Sequence, residues 1–161
     1  MLPSISQIPS FAAEETLGKL TKWLRLLGFD VVYGPLEGFA TDFSSEVNGR
    51  ILLTRTLAVH NRLRRQQWVL LIKANEPMEQ LKSVLQILDI RREHIRPFSR
   101  CLACNLPIEP AASDDIRHAV PDHVWQHHQR FGRCPGCQKV YWSGSHPRRG
   151  YESIAKLFAQ R

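Results

Sequence analysis

Between residues 11 and 90 the chain alternates short apolar runs with longer stretches in which apolar positions recur every three or four residues. The first pattern suits buried strands and the second amphipathic helices. Their alternation predicts an α/β unit built on a mostly parallel sheet flanked by helices. FAA (11–13), DVVYG (30–34), RILLTR (50–55) and WVLLIK (68–73) are the expected strands. Helices are expected from Glu15 to Leu27, from Phe43 to Val47, from Leu57 to Gln66, and along EPMEQLKSVLQILDI (76–90). In the first helix Leu17, Leu20, Leu24 and Leu27 share one face, Lys19, Lys22 and Arg25 are expected on the other, and Gly28 should end it. In the last, Met78, Leu81, Leu85 and Leu88 should face the core.

The periodicity fades near Arg96-Pro97. Beyond it the chain is short on aliphatics and rich in His, Pro and Cys, which predicts a module organised around metal in place of an apolar core. The expected division is an α/β domain over residues 1–97 and a small metal module with a C-terminal helix over 98–161. At 161 residues the chain has room for that pair and little more. No run approaches the length of a membrane span, and the opening MLPSISQIPSF lacks a basic start and is broken by Pro3 and Pro9, so neither membrane insertion nor export is expected and the location expected is cytoplasmic. The formal charge of +7 is spread over both parts, which fits a polyanionic partner, nucleic acid first.

The four cysteines fall into two C-x-x-C pairs, Cys101 with Cys104 and Cys134 with Cys137. In a reducing compartment such pairs are captured by metal in preference to pairing as disulfides, and the spacing is that of a zinc ribbon. Four thiolates leave no open coordination position, so this Zn²⁺ is expected to be structural. His123 and His127, at i and i+4, could form a further metal pair, but no third ligand is suitably spaced and a solvated helix is the simpler reading. Val140, Tyr141 and Trp142 are expected to form a strand after the second knuckle.

Chemistry would then fall to the α/β part, which has no phosphate-binding glycine loop, dinucleotide fingerprint or nucleophile elbow. Carboxylates remain. Glu14 and Glu15 stand where the first strand meets its helix, Asp42 precedes a short helix, and Arg55 and Thr56 follow RILLTR. At the carboxyl edge of an open sheet such acids could gather Mg²⁺ or Mn²⁺ against a phosphodiester; equally, they could serve as helix-start residues, with Asp42 and Thr56 as N-caps.

FAAEETLGKLTKWLRLLGFDVVY, RILLTR, CLAC and RCPGCQKVYWSGSH, in that order, resemble the PIN-like ribonuclease domain found at the C-terminus of Mut-seven exonucleases and in stand-alone prokaryotic proteins. The resemblance covers nearly the whole chain. It implies a PIN-like α/β fold followed by a zinc ribbon, and RNA cleavage dependent on Mg²⁺ or Mn²⁺. Glu14 and Asp42 would be the catalytic acids, and Lys19, Lys22, Arg25 and Arg55 would neutralise the RNA backbone. Three places depart from the family pattern: Glu14 replaces an aspartate, the residues flanking Asp42 differ, and Thr54-Arg55-Thr56 stands where the family reads T-R-D. A hydroxyl brings no charge to a cation, so an impaired nuclease, a non-catalytic RNA-binding module and a protein-docking adaptor using the ribbon all remain open. The roles of Ser143 and His146, in the shared WSGSH run, also stay open between structure and catalysis.

Overall fold

A computed structural model of the chain describes residues 8–35, 49–142 and 145–159. Four strands, β1 (Phe11–Glu14), β2 (Val31–Gly34), β3 (Ile51–Thr54) and β4 (Val69–Leu71), form one sheet, parallel throughout, in the order β2-β1-β3-β4. These are the four expected strands. The two inner ones, FAAE and ILLT, are buried at every position, because a parallel sheet is covered on both faces and so needs no polar alternation.

Helix α1 (Gly18–Leu26), entered through a 3-10 turn at Glu15–Leu17, links β1 to β2. Helix α2 (Leu57–Leu63) links β3 to β4, and α3 (Pro77–Ile87) follows with Pro77 in its first turn, where a missing N–H costs nothing. Successive strand residues point to opposite faces. Phe11, Ala13 and Leu53 therefore pack with Leu20 and Leu24 of α1 and with Leu81 and Leu85 of α3, while Ala12 and Leu52 pack with Val59 and Leu63 of α2. Leu88 is also buried, as expected, and Met78 packs at the margin of the same core. Gly28 ends α1 at φ +94°, and a Cβ there would collide with the carbonyl oxygen of Arg96, where the chain returns to donate Arg96 N–H to Leu27 O at 2.9 Å. The expected helix at Phe43–Val47, and Asp42 with it, lie outside the described residues.

Past Arg96 a second sheet is antiparallel, in the order β5 (Glu109–Ala111), β6 (Phe131–Arg133), β7 (Val140–Trp142), with two short helices, α4 (Ser113–Ile116) and α5 (Asp122–His127), between its first two strands. Here one expectation is corrected. The module has an apolar core of its own, made by Ile116, Val120, Val124, Phe131 and Val140 with Trp125 and Trp142 at its edge. These positions were masked in the sequence because they come one at a time among polar residues and meet only through the antiparallel pairing.

The last helix, α6 (Ser145–Ala159), buries Ile154 and Leu157 in the core of the parallel sheet, with Phe98 packed against the same cluster. Its apolar stripe is thus covered within the chain. No helix among the described residues is long and apolar enough to cross a membrane.

Candidate functional site

The cysteine pairs build two knuckles of the same design. In the first, Asn105 N–H donates to Cys101 O at 2.9 Å and Cys101 N–H to Leu106 O at 2.8 Å; in the second, Gln138 N–H donates to Cys134 O at 2.9 Å and Cys134 N–H to Lys139 O at 3.0 Å. The residue after each second cysteine is left-handed, Asn105 at φ 65° and Gln138 at φ 60°, which turns each loop back on itself. Gly136 permits the knuckles to meet: a Cβ there would lie 2.8 Å from Leu106 Cδ1 and 3.6 Å from Cys104 Sγ.

All four Sγ atoms lie within 4.8 Å of one another, and Cys101 Sγ is 3.7 Å from Cys137 Sγ. Metal–sulfur bonds of about 2.3 Å in a tetrahedron give sulfur–sulfur edges of about 3.8 Å. The donor set and its spacing therefore fit Zn²⁺, and the four cysteines could hold it. Burial opposes ionisation of Cys101, but hydrogen bonds from Tyr141 Oη, at 3.1 Å, and from the N–H groups of Cys104 and Ala103 outweigh it and bring its pKa to about 6. Cys104 moves the other way, to about 12, through its hydrogen bond with Cys137, burial, and the neighbouring sulfurs. Thiolates packed this closely repel one another, and a divalent cation removes that penalty while displacing the remaining protons. Tyr141, expected as part of a strand, also brings its hydroxyl into the cluster.

The first knuckle is locked to the α/β core by Arg25. Its Nε and Nη2 donate to Val31 O at 3.2 and 2.8 Å, and its Nη1 donates to Leu102 O and Ala103 O at 2.9 and 2.8 Å. Asn105 completes the seam, accepting from Val31 N–H at 2.9 Å and donating to Asp30 at 2.7 Å, while Arg50 pairs with Asp30 at 2.8 Å. Burial lowers the pKa of Arg25, offset in part by Cys101 and Asp30. For Asp30, burial is outweighed by the hydrogen bonds from Arg50 and Asn105, which hold its carboxyl below the usual value.

At the other end of the strands the chain runs from β1 outward to β2, then returns to β3 and on to β4, so β1 and β3 flank the point where the sheet reverses direction. Open α/β sheets bind ligands in the crevice beyond the carboxyl ends of such a pair. Glu14 and Thr54 end those two strands. Glu14 is 1% exposed and accepts three hydrogen bonds: Oε1 from Thr16 Oγ1 and from Arg55 N–H at 2.8 Å, and Oε2 from Thr54 Oγ1 at 2.6 Å. Thr56 occupies the N-cap of α2, but its side chain makes no capping hydrogen bond. The sequence signalled Glu14 but not its partner Thr54, which reads as an ordinary strand residue.

Thr16 and Arg55 also line a polar cleft of about 720 Å³ that carries Lys19 and Lys22. Glu14 thus stands behind the cleft wall, joined to it through two of its own hydrogen bonds. Lys19, Lys22 and Arg55 are exposed and all three line that cleft. Arg25 does not join them as a free cation, because its guanidinium is spent on carbonyl groups. Asp42 and Ser143 lie outside the described residues, and His146 is described only as part of α6. His127 Nδ1 lies 2.7 Å from His123 O, both residues being exposed on α5, and the cysteines form the one potential metal cluster among the described residues.

No curated protein and no solved structure matches the chain. The family model described as the Mut7-C RNase domain matches residues 9–154, a span that takes in both sheets, both knuckles and the reversal point at Glu14, and the chain belongs to that family.

Proposed function

We infer that this protein is a ribonuclease of the PIN-like type, acting on RNA that lies in the basic cleft at the carboxyl edge of the parallel sheet. The α/β part up to Pro97 would carry the RNA-facing chemistry, and the part from Phe98 would supply the zinc ribbon as a structural wall with the last helix. The observation that carries this reading is Glu14: a carboxylate buried at the reversal point of the sheet and bonded to the two residues, Thr16 and Arg55, that open onto the cationic cleft. A buried carboxylate is costly, and one that sits at a ligand-binding edge is a functional candidate on physical grounds.

Mg²⁺ or Mn²⁺, when bound, would activate water and neutralise charge on the phosphodiester. Glu14 and Asp42 are the residues that would hold it. Glu14 fits that task only weakly: a carboxylate offers about four acceptor positions, and three are already taken by donors of this chain. Thr56 adds a neutral oxygen at best. What the chain itself contributes is therefore RNA capture by Lys19, Lys22 and Arg55, and an acidic side chain fixed in place at Glu14 by its hydrogen bonds.

That same saturation of Glu14 favours a second reading, RNA binding with little or no hydrolysis. One experiment separates the two. Purified protein is incubated with single-stranded RNA and Mn²⁺ beside Glu14→Gln and Thr56→Asp. Slow cleavage, reduced at least tenfold in Glu14→Gln and raised in Thr56→Asp, supports the ribonuclease. Cleavage indifferent to Glu14→Gln removes it, and binding without cleavage by the native chain leaves the second reading.

A further inference from the structure

Positive charge is not the only feature of the cleft. Tyr33, near the end of β2, forms part of its wall and is 46% exposed. Its ring is held in place: Oη donates to Glu15 O at 2.7 Å, and Gly18 lies so close that a Cβ there would be 3.0 Å from that oxygen and 3.5 Å from Cζ. A fixed aromatic ring left open beside lysines is costly to keep bare, and it matches the way proteins hold single strands, with bases stacked on rings and phosphates on cations. In the sheet register Tyr33 pairs with Ala13, one residue before Glu14. A base on this ring would therefore be an immediate neighbour of the phosphodiester at the reversal point.

A second observation comes from α1. Thr21 lines the same cleft, is 2% exposed, and its Oγ1 has no hydrogen-bond partner. A buried hydroxyl without a partner is a polar group short of its complement, and a phosphate oxygen supplies one. Lys22 is the next residue and Lys19 is two before. Across the cleft Arg55 is steadied by Asn75, whose Oδ1 accepts from Nη2 at 2.6 Å. Glu76 is the one acid among the described residues lining the cleft, and it would repel a phosphate from that side, toward the lysines.

We propose that the cleft is a subsite for one nucleotide of single-stranded RNA, with the base stacked on Tyr33 and its phosphate held by Lys19, Lys22 and Thr21. The proposal rests on the RNA reading above and adds to it a base contact that does not depend on hydrolysis. It fits Gly18 as well: an added Cβ there would press on the Tyr33 hydroxyl at 3.0 Å.

The test is binding of fluorescent oligouridine at low salt without added Mg²⁺ or Mn²⁺, together with a series of the same oligomer in which one base at a time is replaced by an abasic unit. The native chain should lose about tenfold in affinity at one abasic position, the scale of a single base–aromatic stack. Tyr33→Leu should bind the intact oligomer about tenfold more weakly and be indifferent to that abasic unit, while Tyr33→Phe should stay within about twofold of native. An abasic series with no sensitive position, measured on the native chain, overturns the subsite without reliance on any variant. Equal loss in native and Tyr33→Leu at the sensitive position overturns it too. No binding of intact oligomer by the native chain would instead overturn the RNA reading itself, so the two failures are distinguishable.

Discussion

Arg25 shows how a single residue can carry charge in the sequence and do something else in the fold. Lys19, Lys22 and Arg25 recur at i, i+3 and i+6, which looks like one polar stripe. Yet each three-residue step turns the helix by about 300°, so Arg25 arrives about 120° from Lys19 and near the stripe of Thr21, its neighbour one turn earlier. That stripe faces the first knuckle, and the guanidinium there satisfies three carbonyl groups. Arg25→Met should therefore strand buried acceptors and lower stability by roughly 3–5 kcal/mol in urea unfolding, with Arg25→Lys recovering only part, because an ammonium cannot span both sides. Asp30 is a companion case. Its folded pKa lies below the unfolded 3.8, so its contribution is present above that value and fades as pH falls through the folded one. Asp30→Asn should lose roughly 1–3 kcal/mol at pH 7, and its unfolding should change less than that of the native chain between about pH 5 and pH 2. The contacts that join this seam to the knuckle are not visible in the sequence, since those partners lie more than 70 positions apart.

Elements were more legible than residues. Strands appeared as apolar runs and helices as three-to-four repeats because both faces of the sheet are covered, which makes burial nearly a function of local pattern. Helix ends were legible where a special residue sets them, as Gly28 does for α1. Gly28→Ala should destabilise by at least about 1–3 kcal/mol, since a left-handed backbone is strained for alanine and the methyl also meets Arg96; a lowered midpoint with an unchanged denaturant slope would show it. The knuckles were legible from cysteine spacing alone. The apolar core of the second sheet was not, because Phe131 and Val140 sit in three-residue strands too short to show alternation. At the carboxyl edge the acid Glu14 could be found from its place at a strand end, but Thr54 and Tyr33 carried no signal beyond strand propensity.

At the scale of the whole molecule, the cysteine cluster and the cleft share a wall, since Leu102 and Ala103 of the first knuckle line the cleft whose far side carries Arg55. Loss of zinc should therefore be felt in two places. Treatment with a thiol-competing chelator, or Cys101→Ser, is expected to lower the thermal midpoint by several degrees and to weaken RNA binding in parallel; a chain that keeps its full affinity after zinc removal would show the two to be independent. The net charge of +7 predicts broad attraction to polyanions, but three cations meet in the cleft, and the salt dependence should reflect those. A plot of log affinity against log salt for single-stranded RNA should slope at roughly −2, and Lys22→Ala should reduce that slope by a little under one.

The lock on Val31 has a bearing on biosynthesis. Strand β2 stands at the margin of its sheet, and the amide and carbonyl of Val31 find their partners in Asn105 and Arg25, the latter held in place by a loop made much later in translation. A chain cut short before Cys101 lacks Asn105 and the two carbonyls that steady Arg25, so the Val31 amide loses its partner and that point of the margin is open to a like margin on another molecule. Fragments ending before Cys101 should form oligomers or precipitate more readily than the chain of 161 residues.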